Sequence, residues 1–132
     1  MPPSGTLSPA RVFQTRPFKR WLRSHRIKPS ALLRAVEEMR QGLIDADLGR
    51  NLYKKRIALP GQGKRGGART LIATRLTERW FFLEGFSKNQ QSNITLVELK
   101  ALQELGQTLL LLTDQELEQL LKAGTISEVH DE

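Results

Sequence analysis

The spacing of apolar residues changes period twice along this chain, and that alternation restricts its architecture more than any other feature. Phe18, Trp21 and Leu22 recur at helical spacing among Lys19, Arg20 and Arg23, which describes a small basic helix with one apolar face. Pro29-Ser30 opens a second helix with Leu32, Leu33, Val36 and Met39 on one stripe and Gly42 at its end. After the turn-rich Asp45 to Asn51 the helical period is lost. Residues 53–58, 69–76 and 79–86 are rich in β-branched and aromatic side chains and are separated by Gly-rich or polar turns, so they predict three strands of an antiparallel meander. The last two are joined at Thr77-Glu78. From Thr95 the helical period returns. Thr95-Leu-Val-Glu98 and Thr113-Asp-Gln-Glu116 are capping-box sequences, and leucines at 96, 99, 102, 105, 109, 112, 117, 120 and 121 follow until Gly124. A leucine stripe of this kind covers a sheet or meets a partner helix. The class read from this order is α+β: an N-terminal helical hairpin on a small antiparallel sheet, with two C-terminal helices.

A length of 132 residues suits one domain, and 39% hydrophobic with 27% charged residues is the composition of a chain that buries a core. The organisation expected is a disordered lead over 1–10, a core over 11–94, a helical extension packing on it over 95–124, and an acidic tail over 125–132. Arg11 to Thr15 reads as a short extended segment. The lead has Pro, Gly and Ser without the apolar stretch of a signal peptide, and the longest aliphatic run, Leu109 to Leu112, falls far short of a membrane span. A cytoplasmic protein is expected, with no membrane partner. The absence of Cys excludes a disulfide scaffold, a thiolate zinc site and a cysteine nucleophile, and with only His25 and His130 a histidine metal cluster has too few ligands. The charge is uneven. Residues 1–93 hold 19 Lys/Arg against 6 Asp/Glu, whereas residues 94–132 hold 2 against 8. A basic body of this kind meets a polyanion, while the acidic part packs, meets a partner or shields the body.

The segment Pro60-Gly-Gln-Gly-Lys-Arg-Gly-Gly67 contains a literal G-x-G-x-x-G, yet a strand rather than a helix is expected after it, so the dinucleotide fingerprint does not apply. Nor is it a P-loop, because Arg65 follows Lys64 where Ser/Thr belongs. A glycine-rich hairpin loop carrying Lys64 and Arg65 remains, with backbone N–H groups available to phosphate. Around it stand Lys54, Lys55, Arg56, Arg69, Arg75 and Lys88, with Tyr53 and Phe86 available for stacking. Alternation places Lys54 and Arg56 on one face of their strand and Tyr53, Lys55 and Ile57 on the other. Cations and aromatics converging on a small sheet suit RNA phosphate and bases. That pattern points to binding and leaves an enzyme, a reader and a merely solvated basic surface all open.

The ordered series Ala35-Val-Glu-Glu-Met39, Gly42-Leu-Ile-Asp-Ala-Asp-Leu48, Leu52-Tyr-Lys-Lys-Arg-Ile-Ala58, Gly61-Gln-Gly-Lys64, Gly66-Gly67, Arg69-Thr-Leu-Ile72, Phe82-Leu-Glu-Gly-Phe-Ser-Lys-Asn89, Asn93-Ile94 and Glu98-Leu-Lys-Ala-Leu102 resembles the HigB-type branch of the RelE/ParE toxin superfamily, over residues 11–123. The resemblance implies the toxin of a type II toxin–antitoxin pair, with an antitoxin partner of helix-turn-helix type. It also implies a metal-independent, cofactor-free mRNA endoribonuclease acting on the ribosome, in which the ribose 2′-OH attacks the adjacent phosphorus. Carried over by motif, Arg56 and Arg69 stabilise the phosphate and Lys88 is an acid or transition-state cation. Lys54 is a base or orienting group, and Lys64, Arg65, Lys55, Tyr53 and Phe86 contact RNA. Asn89 and Asn93 serve equally well as helix caps. One departure is Ala68, where members of the branch carry an aromatic before the arginine of the Gly-Gly-x-Arg motif. The superfamily also contains gyrase poisons, so a non-catalytic inhibitor and a plain RNA-binding module are the alternatives. The antitoxin surface is sought on the leucine stripe or in the basic cleft.

Overall fold

The computed structural model describes residues 9–61, 67–87 and 94–131. Strand β1 (Arg11–Thr15) is followed by α1 (Arg16–Ser24), α2 (Pro29–Arg40), β2 (Ala46–Asp47), β3 (Leu52–Ile57), β4 (Ala68–Thr74) and β5 (Arg79–Ser87). Helices α3 (Leu96–Leu110) and α4 (Asp114–Ala123) and strand β6 (Ile126–Glu128) complete the order. The sheet has six strands in the order β2-β3-β4-β5-β1-β6. Among the described residues no helix is long and apolar enough to cross a membrane.

The local chemistry that marks the helices is the chemistry observed. Thr15 caps α1, accepting from the Phe18 N–H, and Pro29 opens α2 where an N–H would have no helical partner. Thr95 and Glu98 form a reciprocal capping box on α3, as Thr113 and Glu116 do on α4, and Gly124 ends α4 at φ 77°.

The α+β class holds, and the structure departs from or sharpens the expected layout at three places. The extended segment expected over Arg11–Thr15 is a strand of the main sheet, ahead of the helices. Val12 and Phe13 are both buried, one on each face of the sheet, and β1 inserts between β5 and β6, parallel to β5. The two helices after it pack on the sheet, as expected, but more against it than against each other: α1 lies on β1 and β5, α2 on β3. Finally, Ile126–Glu128 of the expected acidic tail is a strand, because Ile126 is buried beside Phe13 and Leu117 and β6 satisfies the open edge of β1.

Both faces of the sheet carry a core. On one face Phe18, Leu22, Leu32, Val36 and Met39 of α1 and α2 pack against Val12, Ile57, Ile72, Trp80 and Phe82. On the other, Leu109, Leu110 and Leu117 of the C-terminal helices pack against Phe13, Leu52, Leu71, Ala73 and Phe81. The aromatic pair Phe18–Phe82, with ring centroids 5.3 Å apart, ties α1 to β5, and Phe13–Phe81 at 5.0 Å joins the neighbouring strands β1 and β5 on the opposite face. Part of the leucine stripe therefore forms core, whereas Leu96 and Val97 at its start are 66% and 78% exposed.

Helix α3 approaches β4 through Gly106, where an added Cβ would stand 2.8 Å from the Cβ of Ala73. Helix propensity favours Ala over Gly by about 1 kcal/mol, and overpacking costs about 1–3 kcal/mol. Gly106→Ala is accordingly expected to lower stability in denaturant unfolding, the opposite of its effect in an isolated helix.

Candidate nucleic-acid interface

At the end of the sheet where β3 finishes and β4 starts, register builds two rows across β3, β4 and β5. Lys54 stands opposite Leu71, which stands opposite Glu84; Arg56 stands opposite Arg69, which stands opposite Phe86. Leu71 belongs to the core beneath α3 and α4 and Phe86 packs at its margin, so both rows lie on that face. Lys54, Arg56, Arg69 and Phe86 are each partly exposed there. Arg69 is the centre of the group, with Arg56 and Phe86 as direct neighbours and Lys54 and Glu84 on its diagonals, the latter about 7–8 Å away.

Two local devices shape this surface. Gly67 must be glycine, since a side chain there would run into the Ile57 carbonyl; its own carbonyl accepts from Arg69 Nη1 at 3.3 Å. Asp45 extends the short β2 edge by accepting from the Arg56 backbone N–H at 2.8 Å and from Arg56 Nε at 2.9 Å. Burial pushes the Asp45 carboxyl up, but these bonds outweigh it and hold its pKa below the usual range. Asp45 fixes the Arg56 stem and uses one edge of the guanidinium, leaving both Nη groups unbonded among the described residues.

A β-bulge produces the placement of Glu84. Ile72 pairs with Phe82 but Leu71 pairs with Glu84, so β5 holds one extra residue, and the alternation changes phase at Leu83. Phe81, Leu83, Glu84 and Phe86 consequently share a face, and Gly85 turns to the other, against Trp21. Strict alternation would separate Glu84 from Leu83, which is why sequence reasoning passed over this carboxylate. A Gly one residue after Glu84, at a position where strands weaken, is the available signal.

Two of the residues expected to contact RNA stand on the opposite face of the sheet from Arg69. Lys55 is buried on the α1/α2 face, with its Nζ 2.9 Å from Glu38 Oε1. Tyr53 packs against the same core, and burial followed by Asp47 raises its pKa. Neither shares a surface with Phe86, because alternation on β3 sends them beneath α2. Ala68 is also fully buried in that core, so an aromatic at this position would pack under the helices, not stack on a base at Arg69. Lys64, Arg65, Lys88, Asn89 and Asn93 lie outside the described residues.

Among the described residues, the paired carboxylates after α3 engage cations away from the site. Glu128 binds Arg11 at 2.9 Å and Asp114 binds Arg79 at 2.5 Å, at the start of β1 and β5. Arg79 is seven residues from Phe86, about 23 Å along an extended strand. A cleft of about 420 Å³ runs between α2 and the end of β3, with Ile27, Ala31 and Ile57 as apolar lining and Arg26, Lys28, Arg34 and the site's Arg56 as its cations.

With this geometry in hand, the family model for the RelE toxin of the RelE/RelB toxin–antitoxin system matches residues 10–129. The chain belongs to the RelE toxin family. It is thus the toxin component of a toxin–antitoxin system, and membership implies a cognate antitoxin as its partner. No curated protein matches the chain significantly.

Two outcomes test the local chemistry of this RelE-family site. Glu38→Ala leaves Lys55 buried without its carboxylate and is expected to cost about 3 kcal/mol in urea unfolding, while Glu38→Gln costs less. Because the Asp45 pKa is lowered on folding, its contribution is present above the ordinary carboxylate pKa and is lost as pH falls through the folded value. Asp45→Asn is expected to lose about 1–2 kcal/mol at pH 7. Unfolding curves at pH 7 and pH 2 check this, with the difference from the parent protein vanishing at the lower pH.

Proposed function

We propose that this toxin is an endoribonuclease that cuts mRNA on the ribosome and so inhibits translation. The observation that carries the reading is the grouping of Lys54, Arg56 and Arg69 with Phe86 on one partly exposed face. Three cations within neighbouring register positions provide an anionic subsite, and an aromatic ring beside them gives a base something to stack on. The family supplies the toxin role; the cations supply the reason for RNA.

The reaction that the family resemblance implies is attack of a ribose 2′-OH on the adjacent phosphorus, leaving a cyclic phosphate and a free 5′-OH. Charge develops on the equatorial oxygens, and guanidinium groups fixed before the substrate arrives stabilise it without reorganising. Arg69, hydrogen-bonded to Gly67, and Arg56, held by Asp45, are the groups that do this. From the sequence, Lys54 is a base or orienting group, Lys88 an acid and Lys64 a backbone contact. An antitoxin that covers the same face would silence the enzyme.

Incubating the purified protein with translating ribosomes and mapping 5′ ends tests the proposal. Defined cuts in the message are expected, and Arg69→Ala is expected to reduce their rate by roughly 10²–10³-fold. Intact message together with inhibited gyrase supercoiling would support the non-catalytic alternative. Salt-sensitive binding without scission would support a plain RNA-binding module.

A further inference from the structure

The carboxylate that the β5 bulge turns onto the site face has no partner among the described residues. Glu84 makes no hydrogen bond or ion pair with any described residue, although Arg69 is its diagonal neighbour. The other carboxylate at this end of the sheet, Asp45, is occupied by Arg56. Glu84 also lines a groove of about 390 Å³ with Thr15, Leu83, Leu102, Leu105 and Leu109, so its surroundings on one side are largely apolar. Glu84 is exposed to solvent, so it is reachable by a substrate, and it stands between this apolar wall and the arginine read above as a phosphate contact.

We propose that Glu84 is the general base of the cleavage step and that Lys54, on the opposite flanking strand from Glu84, acts as the acid in place of the base or orienting role its motif implies, which leaves Lys88 the role of transition-state cation. The assignment rests on the endoribonuclease reading above and adds the proton transfers. Lys54 and Glu84 stand two strands apart on the same face, roughly 10 Å between backbones, with Arg69 diagonal to both. A phosphate held on Arg69 therefore has a carboxylate on one side and an ammonium on the other, the requirement of an in-line displacement. The Glu84 carboxylate takes the 2′-OH proton as the O2′–P bond forms. The P–O5′ bond breaks and Lys54 protonates the departing O5′, giving a 2′,3′-cyclic phosphate and a 5′-OH.

Burial, followed by the Glu98 carboxylate on α3, raises the Glu84 pKa, which suits a base that works near neutrality. The other charged groups facing it are Arg16 at the same groove and Lys54 and Arg69 across the strands. The β-bulge is then the device that brings the base to the substrate face.

The test compares wild type, Glu84→Gln and Lys54→Ala on ribosome-bound message and on an oligoribonucleotide in which sulfur replaces the leaving 5′ oxygen. Glu84→Gln is nearly isosteric, and its circular dichroism and thermal melting are expected to match wild type. Its cleavage rate is expected to fall roughly 10²–10⁴-fold, with loss of the acid limb of the pH–rate profile. The sulfur leaving group needs no proton, so it should restore Lys54→Ala and leave Glu84→Gln slow. A Glu84→Gln protein that cuts within threefold of wild type with an unchanged pH profile overturns the assignment, as does its rescue by sulfur. Wild-type protein that leaves every RNA intact overturns the endoribonuclease reading itself, and the assignment with it.

Discussion

The double-sided burial of β4 is the constraint on which the rest of the molecule depends. Leu71, Ile72, Ala73 and Thr74 are successive residues and all are buried, which requires a covering layer above and below. Helices α1 and α2 supply one layer and α3 and α4 the other. The two buried hydroxyls of β4 are both answered: Thr70 Oγ1 donates to the Lys55 carbonyl and Thr74 Oγ1 to the Arg79 carbonyl, both at 2.8 Å. With β4 held this way, its register sets which side chains of β3 and β5 become neighbours. Arg69 inherits its surroundings from pairings whose energy comes from the apolar residues further along the strand.

The bulge in β5 shows how a structural irregularity and a site can share one cause. Up to Leu83 the strand alternates between two cores, with Trp80 and Phe82 on one and Phe81 and Leu83 on the other. One extra residue reverses the phase, so that Gly85 fits beneath Trp21, where a Cβ would stand 2.5 Å from its ring, and Glu84 and Phe86 turn to the cationic face. Without the bulge, position 85 would present its side chain to the site and Glu84 would point toward Trp21.

Charge is segregated by the same architecture. Carboxylates of the C-terminal part engage Arg11 and Arg79 at one end of the sheet, while Lys54, Arg56 and Arg69 stand at the other. In this protein the net charge of +7 therefore describes no particular surface. A basic end and a neutralised end differ in what they attract, because surface charges separated by more than about a Debye length of 8–10 Å are largely screened from one another. Lys55 belongs to neither end, since its charge is balanced internally by Glu38.

Local chemistry was legible in the sequence. The period changes, the capping boxes at Thr95 and Thr113 and the meander over β3 to β5 rest on interactions within a few residues, and all were readable as such. The parity that joins Arg69 with Leu71 and separates Lys54 from Lys55 was readable too. The tertiary structure decided what parity alone leaves open. Leu52 and Ile57 lie on opposite faces of β3 and both are buried, so apolar content could not say which face kept its polar end open. Burial of Lys55 depends on Glu38 from α2, insertion of β1 beside β5 on a pairing about 68 residues distant, and β6 on an edge 115 residues away. The bulge follows from the fit of Gly85 to Trp21, again between distant segments. Sequence alone determined the elements and the residues eligible for the site, because those follow from local bonding and periodicity. Which of them meet, and on which face, was settled only when segments far apart in the chain competed for the same buried space.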